Sequence, residues 1–183
     1  LGDALFGQMV NGYIASHPSH HTSLRNFCDQ LPDYLARTSP FDQHPILAEI
    51  ATFERLLMDV FDAGEAELTD LSTLRALKPE NWPTMRLRFH PSVQLLQADW
   101  NSIESWKALK GEKEPPAASN VASQHWLLWR DPDRLSQFRP VEEDEHALLS
   151  LALSGEAILA PFEGLLDRHP GRRVSKVAPR RNT

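Results

Sequence analysis

Between residues 79 and 83 the apolar pattern changes period, so one chain must supply two kinds of secondary structure. Before that break, apolar residues return at the 3.6-residue spacing of helices. Leu5, Phe6, Met9, Val10 and Tyr13 predict a helix over Asp3–Ser16, which His17-Pro18 ends because a residue before proline is pushed out of the helical region. A second amphipathic stretch runs from Ser23 through Leu24, Phe27, Cys28, Leu31 and Leu35, bent or split by Pro32. Thr38-Ser39-Pro40 is a turn. His44-Pro45 opens the strongest helix, with a stripe of Ile46, Leu47, Ile50, Phe53, Leu57, Val60 and Phe61, and Gly64 closes it. Thr69 or Asp70 caps a short helix through Leu71, Leu74 and Leu77.

Beyond the break the period is 2. Met85, Leu87 and Phe89 alternate with Arg86, Arg88 and His90, which predicts a half-buried strand with a cationic outer face. Val93, Leu95 and Leu96 continue the apolar stretch, and residues 102–109 predict a short helix burying Ile103, Trp106 and Leu109. Residues 111–123 read as a flexible loop, 125–130 as a strand, and 135–139 as its return across the Asp131-Pro132-Asp133 turn. Glu142 to Glu145 place carboxylates where a helix N-terminus favours them, with Leu148, Leu149, Leu151 and Ala152 on its buried side and Gly155 as C-cap. A further short helix through Ile158, Leu159, Phe162 and Leu166 follows. The expected fold class is therefore α+β. A helical domain (1–78) precedes a small α+β recognition domain (84–166) with a short antiparallel sheet and a winged-helix-like helical ending, and residues 167–183 form a basic disordered tail.

Composition narrows the setting. The single cysteine, Cys28, allows no intramolecular disulfide and fits a reducing, cytoplasmic compartment. No apolar run approaches the roughly 20 residues that span a bilayer. The start, Leu1-Gly2-Asp3, lacks an initiator Met and a basic n-region, and reads as a chain that begins partway through a domain rather than as a signal peptide. Residues 1–166 carry 13 Lys and Arg against 24 Asp and Glu, a net of −11, whereas residues 167–183 carry a net of +5. An acidic body repels phosphate backbones.

A search for chemistry finds no metalloprotease, phosphate-loop, dinucleotide, serine-elbow or paired-cysteine motif. Three imidazoles, His17, His20 and His21, lie within five residues, but Pro18 keeps them off one helical face and no carboxylate or cysteine completes a ligand set. Cys28 sits on an apolar face as a small hydrophobe. Glu49, Glu54, Asp59 and Asp62 offer paired carboxylates for acid–base work, but Arg55 and Asp59, four apart, read as an ordinary surface pair and Glu49 lies on the polar side of the helix. No catalytic residue, metal ligand or cofactor follows, so the chain reads as a non-enzyme. A hairpin beside two short helices also resembles a winged helix-turn-helix, which makes a DNA-binding regulator the alternative. The helices argue against it, since four carboxylates open the first and no Lys or Arg lies in the second.

The residues also resemble a known family. Tyr13…His17-Pro18, then Leu24, Phe27, Leu31-Pro32-x-Tyr34-Leu35, then residues 47–54 look like the helical half of the BufC/HvfC proteins. Arg86-Leu87-Arg88-Phe89-His90-Pro91-Ser92 with Leu95-Leu96 resembles that family's strand and turn, and Trp106, Leu128-Trp129-Arg130 and Glu145-x-x-Leu148-Leu149 leading to Gly155 resemble its later parts. The likeness spans about residues 5–166, with the family's opening helices missing, Cys28 where a glycine is common, and Glu104-Ser105 before Trp106. It implies a cytoplasmic adaptor, long labelled a DNA-binding domain, that binds the leader of a copper-binding precursor peptide. It implies too that the adaptor docks on a TIM-barrel multinuclear iron enzyme. A strand margin at 85–90 or 125–130 could take the leader by β-augmentation, with Arg86, Arg88, His90, Trp126, Trp129 and Arg130 as contacts.

Overall fold

Phe53 and Val60, one helix face apart by seven residues, are fully buried against Leu96, Ala98, Trp126 and Leu128 of a sheet. That contact organises most of the computed structural model, which describes residues 1–20, 22–81 and 85–155. The described elements are helices α1 (Asp3–Ser16), α2 (Leu31–Arg37), α3 (Ile46–Asp62), α4 (Leu71–Arg75), α5 (Ser102–Lys110) and α6 (Glu143–Leu153), and strands β1 (Gln94–Trp100), β2 (Asn120–Arg130) and β3 (Ser136–Val141). The protein is mixed α+β, its helical N-terminal region followed by an antiparallel three-stranded sheet.

Helix α1 has the bounds its spacing predicts, and ends where the His17 amide donates to the Tyr13 carbonyl at 2.8 Å, one residue before Pro18. The stretch after it is split rather than bent. A 3-10 turn over Leu24–Asn26 starts at Ser23, whose hydroxyl accepts from the Arg25 amide, and α2 begins afresh with Pro32 in its first turn. There the missing proline N–H leaves no helical bond unmade. Helix α3 carries the strongest stripe, but it stops at Asp62, and Phe61 is 53% exposed instead of packed.

In the sheet, β2 is central and β1 and β3 flank it, both antiparallel. Leu96 faces Trp126, which faces Pro140, and Gln94 faces Leu128, which faces Phe138. Period-2 alternation therefore sends Leu96, Ala98, Trp126, Leu128 and Phe138 to the face covered by α3 and α5. The rings of Phe53, Trp106 and Phe138 meet edge to face, with centroids 5.0–5.8 Å apart. In α5, Ile103 is buried and Trp106 half-buried, whereas Leu109, expected inside, is exposed. The turn from β2 to β3 is held by Asp131, whose Oδ1 accepts from the Leu135 amide at 2.9 Å and whose Oδ2 accepts from Gln137 at 2.8 Å.

The chain resolves into two units, Leu1–Ala66 with Pro91–Val141, and Glu67–His90 with the described residues from Glu142 on. This differs from the expected division at 79–83. Helix α3 and the sheet share one core, so the chemistry of burial joins what the change of period at 79–83 separates in sequence. In the second unit Asp70 caps α4 through the Ser72 amide, and α6 is followed by Gly155 at φ 80°, a conformation suited to glycine. The expected strand over 85–90 is corrected. Met85, Leu87 and Phe89 are half-buried and Arg86 and Arg88 exposed, as alternation predicts, but among the described residues the segment shows no strand, only a bridge position at Arg86. Alternation reports one-sided burial; a ladder needs a neighbouring strand as well. No residue of α6 is buried: Leu148, Leu149 and Ala152 are half-covered and Leu151 is exposed. The expected helix near 158–166 and the tail at 167–183 lie outside the described residues.

Candidate recognition surface

The backbone of a sheet margin is a row of unpaired donors and acceptors, and here those rows belong to β1 and β3. Strand β2 is paired on both sides, from His125–Arg130 to β3 and from Gln124–Leu128 to β1, so the expected margin at 125–130 does not exist. The expected margin at 85–90 is likewise replaced, by β1 at Gln94–Trp100. Of the two real margins, β1 is engaged at one end. Next to the irregularity between Ala98 and Trp100, the Glu49 carboxylate accepts the Asp99 amide at 2.8 Å and the Trp100 amide at 3.1 Å. Strand β3 carries Pro140, which has no N–H to give and suits an edge position.

The six candidate contact residues divide between the two units. Arg86, Arg88 and His90 belong to one unit, and Trp126, Trp129 and Arg130 to the other. Arg86 donates to the Gly155 carbonyl, Arg88 is exposed and His90 half-buried. Trp126 is 3% exposed and packs in the core with Lys107 Nζ 4.8 Å above its ring, which removes it as an anchor for a partner. Arg130 is removed too. Its side chain is 7% exposed, donating to the Phe61 carbonyl at 2.7 Å and meeting Glu65 at 3.2 Å, so it ties the end of α3 to β2. Trp129 is half-buried, and three residues from Trp126 it points to the opposite sheet face.

The carboxylates of α3 are engaged in hydrogen bonds and ion pairs. Glu54 accepts from Trp106 Nε1 at 3.1 Å, and Asp59 and Asp62 both hold Arg25. Arg55 bonds Asp59 at 2.8 Å, the expected i,i+4 pair, and also Asp29 at 2.9 Å. The Asp62 hydrogen bond, with both aspartates nearby, raises the already high pKa of Arg25. Glu49 is the residue that sequence reasoning missed. It lies three positions after Ile46 and four before Phe53, on the border of the apolar stripe, and a carboxylate there requires donors.

Around the end of α1, Tyr13 is buried and donates from its hydroxyl to the Phe27 carbonyl at 2.6 Å, and burial pushes its pKa up. His17 stacks on Tyr13 at 4.6 Å and meets Tyr34 edge-on at 5.7 Å. Clefts of about 210 and 550 Å³ flank the His17 ring. Cys28 is exposed rather than packed as a small hydrophobe. Among the described residues, which exclude His21, no three His, Cys, Asp or Glu side chains converge as metal ligands. No helix among them is long and apolar enough to cross a membrane. No protein-family model matches the chain, and no curated protein matches it significantly.

Proposed function

We propose that the chain is a non-catalytic adaptor that receives a precursor peptide as an added strand and presents it to a multinuclear iron enzyme. The observation that carries this reading is the sheet order β1-β2-β3, which leaves β3 paired on one side only among the described residues. An extended peptide laid along Ser136–Val141 would gain backbone hydrogen bonds from that margin, with its side chains alternating between the two faces. The margin of β1 is the poorer seat, because Glu49 holds the amides of Asp99 and Trp100. The half-buried Trp129 and exposed Arg139 lie beside the β3 route and supply an apolar and a cationic contact. The resemblance of residues 5–166 to the BufC/HvfC proteins supports both the peptide and the iron enzyme as partners, and a cytoplasmic setting.

The test is co-expression with the iron enzyme and precursor peptide encoded beside such proteins, followed by amide-resolved NMR of this chain with the leader peptide. Expected are a ternary complex that copurifies and leader-induced shifts confined largely to 136–141. Clean separation of the three components overturns the reading. Shifts centred on 94–100 would move the seat to β1 and overturn the assignment to β3.

A further inference from the structure

The smaller cleft, beside His17, has a chemistry of its own. Tyr13, His17, His20, Phe27, Asp29 and Gln30 line it, and its volume of about 210 Å³ is below the 300 Å³ or so at which small-molecule sites begin, a size for one side chain. The Ser16 hydroxyl lies 2.7 Å from the Gly12 carbonyl and 2.8 Å from His17 Nδ1. Assigning its single hydrogen to Gly12, the ordinary bond of a helical serine, makes Nδ1–H the donor to Ser16. A neutral His17 then carries its free lone pair on Nε2. Asp29 meets Arg55 through Oδ1, which leaves Oδ2 as an acceptor among the described residues. The cleft therefore joins aromatic faces to acceptors.

Charge selects the ligand. The first 66 residues hold nine Asp and Glu against Arg25, Arg37 and Arg55, a net of −6. Each of those arginines already faces an aspartate: Arg25 meets Asp59 and Asp62, Arg37 meets Asp33, and Arg55 meets Asp29 and Asp59. Among the described residues of this stretch no Lys or Arg is left over to receive a phosphate or carboxylate. We infer that this cleft binds the guanidinium of an arginine presented by a peptide, stacked on the aromatic wall and hydrogen-bonded to the acceptors of Asp29, Gln30 and His17. A planar, weakly hydrated guanidinium suits such walls better than a compact ammonium. The inference rests on the cleft alone and stands whether or not β3 takes a peptide strand.

The full chain is titrated with N-acetyl-arginine N-methylamide and, separately, with its citrulline counterpart, which has nearly the same shape without the charge. NMR should show saturable shifts at Tyr13, His17 and Phe27 for arginine and at least tenfold weaker binding for citrulline. Asp29→Asn and, independently, His17→Gln should each weaken the arginine compound severalfold while the signals of β2 stay unmoved. Equal binding of citrulline, shifts of the same residues by inorganic phosphate, or unaltered affinity in both variants overturns the inference.

Discussion

Gly12 is where one atom decides how α1 meets its neighbour. A Cβ built there would lie 2.2 Å from the Tyr34 hydroxyl oxygen and 3.4 Å from the ring carbon that bears it. Tyr34 cannot simply swing away, because its ring packs against Tyr13 at 5.5 Å, His17 at 5.7 Å and Phe41 at 6.0 Å. Gly12→Ala should therefore lower stability by about 1–3 kcal/mol, as overpacking does. In a Tyr34→Phe background the nearest atom is gone, and the same substitution should be neutral or gain up to about 1 kcal/mol from the better helix propensity of alanine. Urea denaturation of the four proteins measures the difference. A cost unchanged by Tyr34→Phe would show that the two side chains do not compete. Neither member of this pair could be coupled from sequence, because 22 residues and a turn separate them and only packing brings them together.

At the scale of elements, the turn from β2 to β3 was legible and its stabilisation was not. Asp131-Pro132-Asp133 announces a reversal, and the register from Arg130 opposite Ser136 to His125 opposite Val141 follows it. What fixes the turn is the Asp131 carboxylate, whose pKa is lowered first by the Leu135 amide it accepts and then by Gln137 and the Asp133 amide. A folded pKa below the unfolded value gives stability that is fully present above about 4 and lost as pH falls through the lower folded pKa. Amide exchange at Leu135 and in β3 should thus be constant from neutral pH to about 4 and speed up below it, beyond the intrinsic pH dependence of exchange. Asp131→Asn keeps an acceptor without the charge and should flatten that acid response. An identical acid response in both proteins would remove Asp131 as its source. Elements whose signal is local, such as α1, α3 and the return strand of this hairpin, came through with bounds close to those expected, whereas β2 begins at Asn120, inside the stretch expected as a loop. The segment 85–90 did not come through, since its alternation is real but among the described residues no strand lies beside it to complete a ladder.

For the whole molecule the decisive residue is Phe53. It is fully buried where α3, α5 and the sheet meet, with Trp106 and Phe138 edge-on at 5.1 and 5.0 Å. Phe53→Ala should cost about 3–5 kcal/mol, a large share of the stability of a domain this size. Near-UV circular dichroism on denaturant unfolding would read it, and a loss under 1 kcal/mol, far below the ordinary range, would mean this core does not hold the unit together. The same core explains why the division by contacts differs from the one expected at 79–83: composition marks a break, but which segments share an interior is a property of distant contacts. It also explains the fate of the candidate site. Trp126 and Arg130 look like surface anchors in a list of residue types, yet one fills the interior and the other joins two elements.

Glu49 gives this architecture a direction. With its carboxylate seated on the amides of Asp99 and Trp100, that end of β1 is stoppered from within, while β3 is paired on one side only among the described residues. Two copies that zipped together through β3 would offer a third only β1 margins stoppered at one end, so self-association should favour a pair over fibres.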